Sequence, residues 1–263
     1  LWDGSTLSPY NELVAEELAK DFGIPCVDYD LAVLKDRKGV ISRNFKKANA
    51  NYISGEEVLA DNLKYYDTDS EDNLILKYRE AENTLNDIWD RLEIHYHNNP
   101  NKEDIIHRLM SQIVNIYLFD IITGQSDRHE GNWKIIEYEN NPNIAPLYDN
   151  ERILMNRSGG DIGVSLRVHN DNLLEFKDLS ESIKRFQKVS SEEFTNTIKE
   201  KLWIISEENL NKVFERIEAK TGYPMPDEEK EFYLNGYQNH KRKLEEILGL
   251  TEEREEHNER KNR

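Results

Sequence analysis

The stretch Gly124-Gln125-Ser126-Asp127-Arg128-His129-Glu130-Gly131-Asn132-Trp133 decides the reading of this chain. It is polar and bounded by glycines, and it separates two apolar segments of different period. Before it, Ile105, Ile106, Leu109, Met110, Ile113, Val114, Ile116, Tyr117, Leu118, Phe119, Ile121 and Ile122 cover most of a helix circumference, which predicts a helix buried in the core. After it, Trp133-Lys134-Ile135-Ile136 reads as a strand, Glu139 to Asn143 as a turn, and Ile144 to Tyr148 as a second short strand. A second acid, Asp149, follows in Ala145-Pro146-Leu147-Tyr148-Asp149-Asn150. Singly, Asp127, Asn132 and Asp149 fit ordinary turn chemistry, because Asp and Asn cap helices and close Asx-turns. Together, between a buried helix and a hairpin, they form a constellation held rigidly from both flanks.

Further out, Ser8-Pro9 predicts a helix start, Leu13, Val14 and Leu18 continue it, and Gly23-Ile24-Pro25 ends it. Val27, Tyr29, Leu31 and Val33 alternate as a strand. A polar turn over 35–39 lets Val40 to Phe45 return as its hairpin partner. Beyond residue 45 the pattern turns mostly helical. Val58, Leu59 and Leu63 suggest a short helix, and Asp67 to Asn73 a loop. Leu85, Ile88, Trp89, Leu92 and Tyr96 form an amphipathic helix that Asn98-Asn99-Pro100-Asn101 ends. Helical spacing resumes from Asp178, through Ile183/Phe186, and runs to Leu248. Residues 251–263 carry nine charges and no apolar residue, which reads as a solvated tail.

Composition narrows the function classes. The 263 residues hold 35 Lys and Arg against 52 Asp and Glu, a net charge of −17. That acidity argues against sequence-independent nucleic-acid binding and against loose attachment to an anionic membrane surface. No run of eighteen apolar residues exists, so the sequence predicts no transmembrane span. One cysteine, Cys26, excludes an intramolecular disulfide framework and fits a reducing, cytoplasmic setting. Four Trp, thirteen Tyr and eight Phe supply too much aromatic surface for a disordered chain.

Phosphoryl transfer needs a carboxylate beside the attacking hydroxyl and oxygen ligands for a Mg²⁺ that bridges the nucleotide phosphates. In protein kinases the catalytic-loop Asp and a metal-binding Asn stand five residues apart, and a further Asp follows a short hairpin. Asp127 and Asn132 have that spacing, and Asp149 has that position. The stretch resembles the catalytic loop of HipA-like kinases, the toxin kinases of bacterial toxin–antitoxin pairs. In that wider set an Arg-His pair follows the catalytic Asp, as in Asp127-Arg128-His129. Pro146-Leu147-Tyr148-Asp149-Asn150 resembles the family's metal-binding stretch. Asn11-Glu12-Leu13-Val14-Ala15 with Gly23-Ile24-Pro25 resembles its N-lobe helix and following strand, and Ile41 to Phe45 falls where the hinge should lie.

The resemblance implies an α+β, protein-kinase-like fold with a truncated small N-lobe and a mostly α-helical C-lobe. Residues 1–45 would be the N-lobe remainder, 46–250 the helical C-lobe, and 251–263 the tail. It implies ATP- and Mg²⁺-dependent phosphorylation of a protein Ser or Thr, with a translation component as the substrate class. Asp127 would orient and deprotonate the acceptor hydroxyl. Asn132 and Asp149 would ligate Mg²⁺. Glu12 would pair with an ATP-binding Lys, backbone groups of Arg43, Asn44 and Phe45 would hold the adenine, and Arg128 and His129 would brace the loop. An antitoxin protein is the implied partner, with no direct nucleic acid and no membrane. The pattern departs from that family at one place: there is no G-x-G-x-x-G, no Walker A and no Lys on a strand before the first helix. The chain opens at Leu1 without an initiator Met. The missing strands are therefore expected upstream, on a second polypeptide, or not at all. A non-catalytic interaction module and a lipid or small-molecule kinase are the rival readings. Two smaller features read as structural. His95-x-His97 reads as a solvated helix end, and Ser158-Gly159-Gly160 as an ordinary turn.

Overall fold

A computed structural model of the chain describes residues 9–35, 37–60, 63–68, 74–79, 85–125, 128–150, 152–153 and 191–248. Ser8, Asp127, Ile183, Phe186, the Ser158-Gly159-Gly160 turn and the tail lie outside them. Helix α1 (Tyr10–Phe22) starts at Pro9, and Gly23 ends it in the left-handed conformation at φ 91°. There Ile24 N–H bonds Ala19 O at 3.0 Å and Gly23 N–H bonds Lys20 O at 3.2 Å, a Schellman closure. Strands β1 (Tyr29–Leu34) and β2 (Arg37–Ser42) pair antiparallel, Leu34 opposite Arg37. The turn is thus shorter than the expected 35–39, and Arg43 to Phe45 lie beyond the strand.

The mostly helical expectation after residue 45 holds, with short strands that the sequence reading did not place set among the helices. Strand β3 (Asn51–Ser54) precedes the short helix α2 (Gly55–Leu59), which a Ser54/Glu57 capping box starts. Leu63 belongs to strand β4 (Leu63–Thr68), which pairs with β5 (Leu74–Arg79), so Asp67 and Thr68 are strand rather than loop. Helices α3 (Leu85–His95) and α4 (Lys102–Thr123) come next, as expected. Strand β6 (Lys134–Tyr138) joins β7 (Asn141–Ile144) through Glu139 and Asn140, both at positive φ. A two-residue turn of that kind matches the strand twist. It moves the second strand three residues earlier than 144–148. The sheet order is β3-β6-β7. Leu147, expected within that strand, instead bridges Cys26 in parallel.

The C-terminal part is α5 (Ser191–Lys201), a 3-10 turn (Leu202–Ile205), α6 (Glu207–Thr221) and α7 (Asp227–Ile247). The core centres on α4, whose Leu109, Val114, Phe119 and Ile122 are fully enclosed. Among the described residues α4 alone is long and apolar enough to cross a membrane, and 67% of that apolar window is buried inside the protein. The architecture is α+β: small antiparallel sheets and a mostly helical remainder.

Three ion pairs fasten α1 to α6. Buried Glu17 meets Arg216 at 2.6 Å, Asp21 meets Arg216 at 2.8 Å, and buried Glu16 meets Lys220 at 2.8 Å. Helix α7 caps α4: His240 Nε2 lies 2.7 Å from Ile121 O, an orphan carbonyl of the last turn. Burial pushes the His240 pKa down to about 4, so the imidazole is neutral and donates.

Candidate active site

The site is built where α4 ends. Gly124, at φ 68°, turns the chain, and Gln125 N–H bonds Asp120 O at 3.0 Å. Asp120 is fully buried, and its carboxylate faces Arg128, three residues past the turn. Arg128 Nε and Nη2 reach the two Asp120 oxygens at 3.0 and 3.1 Å. The same guanidinium donates to Asn150 Oδ1 at 2.6 Å, to Asn132 O at 3.1 Å and to Tyr148 O at 3.2 Å. One side chain therefore binds the end of α4, the 128–132 loop and the 148–150 segment into a single unit. The planar five-donor fork suits this role, which a point-charge ammonium does not.

Asn132 ends a 3-10 turn (Glu130–Asn132) and is buried, its N–H bonded to His129 O at 2.9 Å. Gly131 N–H donates to His129 Nδ1 at 3.0 Å. Tyr148 OH donates to Gly131 O at 2.8 Å, a second tie between the two segments. Gly55 packs on the outside of this loop. A Cβ there would sit 2.4 Å from Glu130 O and from the Trp133 ring, so close approach requires glycine. Asp149 is exposed and at φ 56°. Its carbonyl accepts from Gln125 Nε2 at 3.2 Å, and its N–H lies 3.4 Å from the Tyr29 hydroxyl.

Glu12, on α1, is buried against this segment. It accepts from Asn150 N–H at 2.8 Å and from Tyr29 OH. No lysine pairs with it among the described residues. Lys20 pairs instead with Glu16 at 2.7 Å and Glu17 at 2.5 Å. Burial, and then the Asp149 charge, push the Glu12 pKa up to about 7 against those hydrogen bonds. A carboxyl raised from 4.5 to about 7 stays protonated in the folded chain while the unfolded chain ionises. Stability therefore falls as pH rises from about 4.5 to 7 and is level above that. With metal chelated, Glu12→Gln is expected to flatten this slope and to gain roughly 3 kcal/mol on wild type between pH 4 and pH 8. Urea unfolding at stepped pH measures it, and an unchanged slope refutes the assignment.

Of the expected nucleotide residues, Phe45 reaches the site. Its ring stacks on Tyr148 at 5.9 Å and meets Tyr52 edge-on at 6.4 Å. Arg43 and Asn44 are exposed beside it, and Asn44 Oδ1 accepts from Lys46 N–H at 3.0 Å. Asp127 lies outside the described residues, one position before Arg128. Cys26 donates its S–H to Leu147 O at 3.3 Å, and burial raises its pKa, so it is an inert thiol. His95 sits 3.7 Å from Glu137 while His97 turns to Ile94 O, so the pair engages separate partners.

Asn132 and Asp149 offer an amide and a carboxylate oxygen, the donor set that suits a Mg²⁺ otherwise held by water and substrate phosphates. Sequence reasoning missed Asp120, Asn150 and Tyr29. Asp120 left a signal: it is the one acid of α4 beyond the first turn, eight residues before an arginine. Tyr29 and Asn150 left none, because their roles exist only across the assembled fold.

Arg128 thus ties the 128–132 loop to the 148–150 segment, and buried Glu12 of α1 closes on Asn150 from the other side of the chain. The chain resembles a Helicobacter pylori structure described as the proinflammatory kinase CtkA, at TM-score 0.54 and 16% identity, over 93% of this chain and 86% of that one. It also resembles a chain of the Shewanella oneidensis MR-1 toxin–antitoxin complex of HipA, HipB and operator DNA, at TM-score 0.56 and 14% identity. That match covers 93% of this chain and 57% of the other. No protein-family model and no curated protein matches the sequence. The fold is therefore kinase-like, shared with these two structures.

Proposed function

We propose that this chain is an ATP- and Mg²⁺-dependent protein Ser/Thr kinase of the HipA-like type. The observation that carries the reading is the Arg128 hub, which fixes Asn132 and the Asp149 segment against each other inside a kinase-like fold. Asp127, one residue from the hub, takes the proton of the acceptor hydroxyl. Asn132 and Asp149 would hold Mg²⁺, which when bound neutralises phosphate charge. Buried Glu12 and Tyr29 hold the 149–150 backbone in place. Backbone groups of Arg43, Asn44 and Phe45 receive the base. A HipB-like antitoxin is the proposed partner, since the Shewanella complex contains one. That complex also contains operator DNA, so the net charge bears only on sequence-independent contact with phosphate.

A second reading, nucleotide binding without transfer, draws on Glu12, which carries no lysine partner among the described residues. One experiment separates them. ATP·Mg²⁺ is expected to raise the melting temperature and to label a protein acceptor from its γ-phosphate. A thermal shift with no transfer selects the second reading, and no shift at all removes both.

A further inference from the structure

A band of cations lies on aromatic rings along the face that leads to Asp149. Lys47 Nζ stands 5.1 Å over Tyr138, Lys46 Nζ 5.6 Å over Tyr52, and Lys134 Nζ 4.8 Å over Tyr148. The rings are joined in turn: Lys47 N–H donates to Tyr52 OH, Tyr52 meets Phe45, and Phe45 stacks on Tyr148. The band thus runs from the far end of β6 to the residue before Asp149.

These cations differ from those of the α1–α6 interface. There Lys20, Arg216 and Lys220 are neutralised by carboxylates. Lys46 and Lys47 are exposed and meet no carboxylate among the described residues. An ammonium on an aromatic face is held in position without losing its charge. The neighbouring acids are largely engaged. Glu137 accepts from Tyr96 OH at 2.8 Å and from Asn51, and Glu57 closes the capping box of α2 beside Lys134. Glu56 faces the Tyr148 end, so an incoming acid is favoured toward Lys46 and Lys47.

We propose that this band docks the acidic flank of a polypeptide whose hydroxyl enters the site next to the proposed metal ligand Asp149. The proposal rests on the kinase reading only for the transfer step after binding. A single-stranded nucleic acid fits less well, because stacking needs open ring faces and these carry lysines or each other. In a chain of net charge −17, an exposed cationic band is also the place where an acidic segment meets attraction rather than repulsion.

The test uses the full chain and three fluorescent probes: a serine peptide flanked by glutamates, the same peptide with glutamines, and an oligothymidylate of equal charge. At low salt the glutamate peptide is expected to bind about tenfold or more tighter than the glutamine peptide. Lys46→Glu with Lys47→Glu is expected to erase that preference, and each single reversal to reduce it. Arg242→Glu with Lys243→Glu on α7, the same change of charge elsewhere, is expected to preserve it. Equal binding of the two peptides, an unaffected Lys46/Lys47 variant, or tighter binding of the oligonucleotide overturns the proposal. Phosphate transfer is scored separately. Selective binding without transfer supports docking and counts against the kinase reading, whereas transfer without glutamate preference does the reverse.

Discussion

Arg128→Met is expected to destabilise the protein by about 3–5 kcal/mol, because it strands a buried carboxylate. Asp120 has no exposed surface, and its two oxygens face the guanidinium. Removing the cation also takes donors from Asn150 Oδ1 and from the carbonyls of Asn132 and Tyr148. Arg128→Lys restores charge without the fork and should recover only part of the loss. The double variant Asp120→Asn/Arg128→Met removes both charges, so it should be less destabilised than the two single losses added together. Urea unfolding of the four proteins gives the coupling, and simple additivity would show that the pair does not act as described.

Asp127→Ala is expected to act the opposite way, sparing the fold and removing the chemistry. A positioned general base contributes about 10²–10⁴ in rate. Phosphate transfer should therefore fall at least that far while the melting temperature and its ATP·Mg²⁺ shift remain near wild type. Undiminished transfer in Asp127→Ala would withdraw the catalytic assignment of the loop. The two variants also make a control for each other. Arg128→Met loses activity with stability, and Asp127→Ala loses activity alone.

What the sequence disclosed tracks what is local. Helix α1 was legible because Gly23 marks its end, and α4 because its apolar positions surround the axis. Strand β6 was legible because it is short, apolar and comes after a glycine-bounded loop. Strand β3 was not, because it exists only by pairing with β6, Asn51 standing opposite Glu137, 86 residues on. The β4–β5 hairpin pairs locally, Thr68 opposite Leu74, but the acidic run from Asp67 to Asn73 reads as a loop in the sequence. In the site, Asn132 and Asp149 announced themselves by spacing. Asn150, one residue further, reads as nothing until Arg128 and Glu12 close on it. Glu12 was visible as a first-turn acid, but its company of Asn150 and Tyr29, rather than a lysine, is a tertiary fact.

The α1–α6 clamp bears on how the protein is made. The inner face of α1 carries Glu12, Glu16 and Glu17, whose partners Asn150, Lys220 and Arg216 lie 138, 204 and 199 residues further along the chain. At ribosomal speeds of about 5–20 residues per second, α1 waits for about ten seconds or more before those partners exist. Contacts this distant in sequence also close slowly. The packing of α1 against α6 and against the 149–150 segment is thus a late event, complete only once residue 220 has left the ribosome.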